Sequence, residues 1–294
     1  MNLLLQISGT IGLALAWIIL AAARRHLSQT TLTTAWYWML LALLLWSVGW
    51  TATIIVPVLP IAMADQLWYA TAVSMLCPFI AVLGARRPVS RVWTWFVIMP
   101  LLIVLEWPAI VMHGDVSDSN SLSLEGPAIL GFAVVAIMGL GNYVGTRYAI
   151  PVLLAATALV LLVAPFSTAA PNLFSNRFHS RIWATLALVA AVLIARRLSR
   201  RGAVTQPPFD MLWNDFRSWF GIVWAKRIQD RVNETAEKEN WPHRLQPFGF
   251  VATEDSSSSI PDSQTHERIE QTMRWLLRRF ADPEWIDARL TSDD

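Results

Sequence analysis

Residues 3–25 read LLLQISGTIGLALAWIILAAARR, twenty-one residues without a formal charge followed by two adjacent arginines. An uncharged run of this length matches the ~20 residues an α-helix needs to cross a ~30 Å hydrocarbon core. The arginine pair sets its direction, because Lys and Arg accumulate in short cytoplasmic segments. Ala21-Ala22-Ala23 would suit a signal-peptide cleavage site, but no basic residue precedes the run and Arg24–Arg25 follow at once. The run therefore reads as a retained helix with its N-terminus outside.

The same unit recurs along the chain. Further apolar spans fall at about Ala35–Val56, Gln66–Gly84, Val92–Met112, Pro127–Val144, Tyr148–Pro165 and Ile182–Ala195. No lysine occurs before Lys226, and the arginines cluster in alternate gaps: Arg24 and Arg25, then Arg86, Arg87 and Arg91, then Arg147, then Arg196, Arg197, Arg200 and Arg201. The second gap carries only Asp65, and the fourth Asp115, Asp118 and Glu125. The sixth carries Arg177 and Arg181. Ten of the twelve arginines before the tail thus lie on one side. The expectation is an all-α polytopic protein of the plasma (cytoplasmic) membrane, with seven transmembrane helices, N-terminus out and C-terminus in. Residues 1–201 form the transmembrane domain and 202–294 a small helical cytoplasmic tail.

Composition agrees. The chain is 55% hydrophobic with a mean hydropathy of +0.44, more apolar than an ordinary soluble domain. A net charge of +2 is too small for a nucleic-acid surface, and topology accounts for the basic balance. Cys77 is the only cysteine, which excludes an intrachain disulfide.

Trp36, Trp38, Trp50, Trp68, Trp93, Trp95, Trp107 and Trp183 fall near span ends, where amphipathic rings favour the headgroup layer; Trp17 and Trp46 fit that pattern less well. Pro78, Pro100 and Pro108 predict kinks. Gly141-Asn142-Tyr143-Val144-Gly145 is a GxxxG spacing, and Ser8, Gly12 and Ala16 form a small-residue stripe; both read as close helix contacts within the bundle.

Glu106 is the only acid well inside one of these spans, in the outer third of the fourth and between Pro100 and Pro108. An intramembrane carboxyl is costly unless paired, protonated or wetted, which makes Glu106 a candidate ligand or ion site, with Gln6 at a similar depth on the first span. The spans contain no lysine for a retinal Schiff base and no histidine pair for a mid-membrane haem.

In the tail, Phe209, Leu212, Trp213, Phe216, Trp219, Phe220, Val223 and Trp224 fall within about 140° of a helix at 100° per residue. This aromatic face, on a helix over about 208–239, suits the membrane interface or the underside of the bundle, and also the core of a tail module or a partner contact. The Arg196–Arg201 collar, Phe209, Trp213, Phe216 and Phe220 are the candidate membrane-surface or partner contacts. A short extended stretch framed by Pro242 and Pro247 runs to Val251, and a Ser-rich flexible loop covers about 252–264. An amphipathic helix over about 265–281 follows, then a short one from Pro283 to Leu290.

The tail contains no phosphate loop, zinc spacing, HExxH or GxSxG element, and His243 and His266 read as lone surface histidines. The sequence therefore points to a non-enzymatic membrane protein without a cofactor, sensor-like or scaffolding, whose partners are the lipid bilayer and a cytoplasmic protein held by the tail. The alternative is a transporter or lipid-handling protein using Glu106 in an outward-facing cavity.

Overall fold

The computed structural model describes residues 2–55, 59–111, 121–167, 176–200, 207–252 and 263–290. Among the described residues, seven apolar helical stretches precede the tail: α1 (Asn2–Leu27), α2 (Thr33–Ile55), α3 (Ile61–Leu83), the run α4 (Ser90–Trp93) to α5 (Met99–Val111), α6 (Gly126–Gly141), α7 (Ala149–Val163) and α8 (Arg177–Arg200). Six are long and apolar enough to cross a membrane, and α6 is shorter. The tail adds α9 (Pro208–Lys238), a hairpin of β1 (His243–Gln246) and β2 (Gly249–Ala252), then α10 (Ser263–Leu277) and α11 (Pro283–Leu290). Among the described residues the fold is helical apart from this hairpin and two isolated bridges.

The fourth stretch is not one regular helix. A π-helical turn, Thr94–Ile98, joins α4 to α5. Pro100 has no N–H to offer the carbonyl four residues back, and widening the ladder just before it is the usual relief. Pro78 and Pro108, in contrast, sit inside α3 and α5 without ending them.

α3 is the central helix, packing against α2, α5, α6, α7 and α9. The bends after α1, α3 and α6 meet at one end of the bundle, where all three touch the tail. At the other, distal end, Leu122 N–H reaches Asp65 at the start of α3, and Leu124 N–H donates to the Phe166 carbonyl beyond α7 (2.6 Å). Successive stretches therefore run in alternate directions.

Tryptophans do more inside this bundle than the belt reading expected. Trp46 and Trp68 are buried, with their rings edge to face. Their indole N–H groups donate to Thr185 Oγ1 (2.9 Å) and Thr53 Oγ1 (3.0 Å). Trp50 donates to Thr10 Oγ1 (3.0 Å), Trp17 to Ser47 Oγ (3.0 Å) and Trp36 to the Leu20 carbonyl (2.8 Å). These rings pin α1, α2, α3 and α8 to one another. Only inside the bundle does each indole find both apolar cover and an acceptor. Trp95, Trp107 and Trp183 remain largely exposed, as belt residues would be.

One apolar core runs without a break from the bundle into the tail, from Leu13 on α1 to Ile286 on α11. Phe209, Leu212, Trp213, Phe216, Phe220 and Trp224 are all buried in it, against Ile269, Met273, Leu277 and Phe280. Burial of each such side chain is worth about 1.5–3 kcal/mol. The surface role expected of Phe209, Trp213, Phe216 and Phe220 is thus corrected: their rings are consumed by the protein's own core. The aromatic stripe serves both the tail core and the docking of that core beneath the bundle.

Candidate functional site at the junction of bundle and tail

The bend between α6 and α7 carries the most specific contact. Within α9, Gly221 has φ +79° and ψ 177°, so its helix is two helices meeting at a break. A break strips helical partners from nearby peptide groups, and Asn142 supplies replacements. Its Nδ2 donates to the Phe220 carbonyl (3.1 Å), its Oδ1 accepts from Val223 N–H (2.9 Å), and its carbonyl accepts from Ile222 N–H (2.8 Å). A Cβ at Gly221 would meet Asn142 side-chain atoms at 2.1–2.5 Å, so both dihedral and space require glycine. Tyr143 Oη donates to the Trp219 carbonyl (3.2 Å), and burial pushes this phenol's pKa above its ordinary value. Residues 141–145 are consequently not a helix–helix GxxxG contact: Asn142 caps α6, Gly145 has φ +79°, and the segment is a turn shaped to receive the tail.

Charge secures the same turn. Asp215 on α9 lies between Arg147 (3.0 Å) and Arg289 of α11 (2.8 Å). The Arg289 guanidinium is also 3.8 Å from the Trp285 ring centroid and 5.4 Å from that of Trp219. Burial lowers the pKa of Arg289, against the opposing pull of Asp215. Two guanidiniums share one carboxylate, and among the described residues Arg147 Nε, Trp219 Nε1 and Trp285 Nε1 are buried without a partner. Unpaired buried donors are costly, which makes this cluster the least satisfied part of the junction. Arg217 spans junction and hairpin, donating to the carbonyls of Gly145 (2.5 Å) and Pro247 (2.9 Å).

The other two bends hold the turn between α10 and α11. Thr31 N–H donates to the Phe280 carbonyl (2.8 Å), and Asp282 N–H to that of Gln29 (2.8 Å). Arg87 N–H donates to the Arg279 carbonyl (2.9 Å), and its guanidinium meets Asp282 (2.5 Å). The Thr31 hydroxyl lies 2.8 Å from the Ala85 carbonyl oxygen, tying the two bends together. From α9, Trp224 Nε1 donates to the Val82 carbonyl at the end of α3 (2.9 Å).

The hairpin is clamped onto α9 by Asn233, which donates to the Leu245 carbonyl (2.9 Å) and accepts from its N–H (2.8 Å). Asp210 Oδ1 accepts Phe250 N–H (2.9 Å), and burial raises the pKa of this carboxyl. His243 is buried at the start of β1, contrary to its expected surface position, because it alternates inward with Leu245. His266 is exposed, its ring beside Phe209 (4.6 Å).

At the distal end lies a cluster that the sequence reading missed. Asp65, taken as a gap residue, stands inside α3 with 0% exposure. It is paired with both Arg177 and Arg181 from the first turns of α8, the latter at 2.7 Å. Arg181 also lies over the Trp68 ring (5.6 Å) and Arg177 over that of Phe166 (5.7 Å). Glu106 is therefore not the only acid buried within the apolar helices. The signal available in sequence was one acid in the second gap and two arginines breaking the alternation in the sixth.

Glu106 is half-buried on α5, with no hydrogen bond or ion pair among the described residues. On the facing α3, Tyr69 Oη donates to the Leu105 carbonyl (2.6 Å) and Gln66 Nε2 to the Ala109 carbonyl (3.3 Å), so Glu106 sits between two polar ties. Gln6 does not join it: α1 packs against α2 and α8, whereas α5 packs against α3 and α6. Arg197 and Arg200 occupy the last turn of α8 and are exposed, Arg196 just precedes them, and Arg201, residues 202–206 and most of the Ser-rich loop lie outside the described residues. Among the described residues no group of three or more His, Cys, Asp and Glu side chains is placed to hold a metal.

The chain matches no family model, no curated protein and no solved structure.

Proposed function

We propose that this is a seven-helix protein of the cytoplasmic membrane, N-terminus outside and tail inside, acting as a non-enzymatic, sensor-like scaffold. Its tail presents a surface to a cytoplasmic protein partner, and the junction ties the attitude of that surface to the bundle. The observation that carries the reading is Asn142 seated in the break at Gly221. A displacement of the α6 end moves the fulcrum of α9, and with it everything packed on α9. A tail merely tethered by a linker would need no such splice. The arginine clusters on the tail-side bends support the orientation.

Two experiments test this. The only native cysteine, Cys77, is buried, so a membrane-impermeant maleimide reports introduced thiols against a low background. In intact cells Ser123→Cys is expected to label and Glu237→Cys only after permeabilisation; the reverse overturns the orientation. Proximity labelling from the tail is expected to recover a partner that is lost on deletion of 203–294 and weakened by Asn142→Ala. An interaction set unchanged by the deletion rejects the scaffold.

The unpaired Glu106 favours a second reading, a transporter whose site includes this carboxyl. That reading requires Glu106→Gln to abolish flux in reconstituted vesicles, and retained flux removes it.

A further inference from the structure

The turn between α10 and α11 is wedged between the two most arginine-rich bends of the bundle. Through Thr31 and Gln29 it is bonded to the bend after α1, which follows Arg24 and Arg25. Through Arg87 it is bonded to the bend after α3, which carries Arg86 and leads into α4 with Arg91. The turn contributes Arg278 and Arg279, and their guanidiniums lie 5.9 and 5.1 Å from the Trp275 ring, which is 50% exposed. Three arginine-bearing segments distant in sequence are thus bonded together, with Arg278 and Arg279 beside an exposed indole and Arg24 over the Trp36 ring (5.6 Å).

That assembly is not neutralised from within. Among the described residues, Asp282 pairs with Arg87, and both Glu270 and Asp287 are taken by Arg274. Glu284, on α11, is the remaining acid close in sequence. Arg24, Arg25, Arg86, Arg91, Arg278 and Arg279 form no ion pair among the described residues. Clustering so many like charges is unfavourable unless an external anion compensates. The apolar helices α1 to α4 end or begin at these two bends, so the cluster stands at the boundary of the hydrocarbon layer, where phosphate groups are concentrated. An indole beside guanidiniums suits that layer in both its apolar and polar parts.

We propose that Trp275, Arg278 and Arg279, with the arginines of the two bends, form a binding site for anionic phospholipid headgroups of the surrounding bilayer. The tail is then fastened to its own membrane as well as to the bundle. The inference rests on membrane embedding alone and stands whether or not the tail binds a protein partner.

The test uses purified full-length protein in mild detergent, titrated with phosphatidylglycerol or phosphatidylcholine and read by native mass spectrometry. Wild type is expected to retain phosphatidylglycerol preferentially. The double variant Arg278→Gln/Arg279→Gln is expected to lower that affinity about thirty-fold, the effect of removing two basic residues at an anionic surface. Trp275→Ala is expected to weaken it further without altering helix content. Equal retention of the two lipids by wild type overturns the proposal. So does a preference that survives the double variant but disappears in Arg196→Gln/Arg197→Gln, which would place the site on the α8 collar. An acidic polypeptide co-purifying at this surface instead of lipid overturns it as well.

Discussion

Replacing Gly221 with alanine tests the junction at its most exacting point. The φ of +79° with ψ 177° lies in a region that is nearly glycine-only, at a cost of about 1–3 kcal/mol for an L-residue. The new Cβ would also occupy the place of the Asn142 amide, 2.1–2.5 Å away. Expelling that amide leaves the Phe220 carbonyl and Val223 N–H without their partners, at about 1–3 kcal/mol each when buried. Together Gly221→Ala should cost about 3–9 kcal/mol of local stability. In an Asn142→Gly background the clash and the two bonds are already gone, so the same substitution should cost only the backbone strain. The double-mutant cycle is therefore expected to show a coupling of at least about 2 kcal/mol. Native-state hydrogen exchange at the amides of Ile222 and Val223, in the purified full-length protein, reads these opening free energies directly. Costs that add to within about 0.5 kcal/mol would mean the two residues act independently, and the idea of a splice would have to be abandoned.

Three further outcomes follow from the same geometry. Asp65→Asn strips the shared carboxylate from Arg177 and Arg181 and should destabilise the bundle by about 3–5 kcal/mol, with partial recovery on adding Arg181→Gln; thermal unfolding of wild type, single and double variants checks both. Asp210 has its folded-state pKa raised by burial, so the folded state binds the extra proton: its contribution is full below the ordinary carboxylate pKa of about 3.9 and is lost as pH rises through the folded value. Asp210→Asn keeps an acceptor for Phe250 N–H and should be neutral or stabilising at pH 7, and a loss of stability at neutral pH on that substitution would contradict the assignment. Arg289→Met removes one cation from the pair sharing Asp215 and its stacking on Trp285, and should loosen α11 before the bundle melts, seen as early proteolysis within 283–290.

What could be read from the sequence divides along physical lines. Apolar runs and arginine clusters are local signals, and the helical stretches lie close to where those signals put them. The ends moved outward, α3 to Ile61 and α8 to Arg177, because charged residues can continue a helix once they are paired. The pairing itself was invisible, since Asp65 and Arg177 are 112 positions apart and each alone looks like an interfacial residue. The aromatic face of α9 was legible, but hydrophobic periodicity names a buried stripe without naming its cover. Gly221, between Phe220 and Val223 near the end of that stripe, was the available warning of a break. The spacing from Gly141 to Gly145 misled because small residues serve tight turns as readily as helix contacts.

Arginine has three separable uses in this chain, and separating them removes the one anomaly in its distribution. Arg177 and Arg181 are the two that break the alternation of basic gaps. They are also the two that share the fully buried Asp65. A guanidinium folded against a carboxylate and an aromatic face is a packing element with its charge largely cancelled, and it carries little weight as a topological signal. Arg87, Arg147 and Arg217 keep to the tail side and hold the tail there through Asp282, Asp215 and the Gly145 carbonyl. The remaining arginines of the bends form no ion pair among the described residues, and under the proposed topology they face the charged leaflet. Under that topology, the arginines that bias the chain's orientation also supply contacts that seat its tail. This is why the tail core can merge with the bundle core across a boundary where a soluble module would normally end.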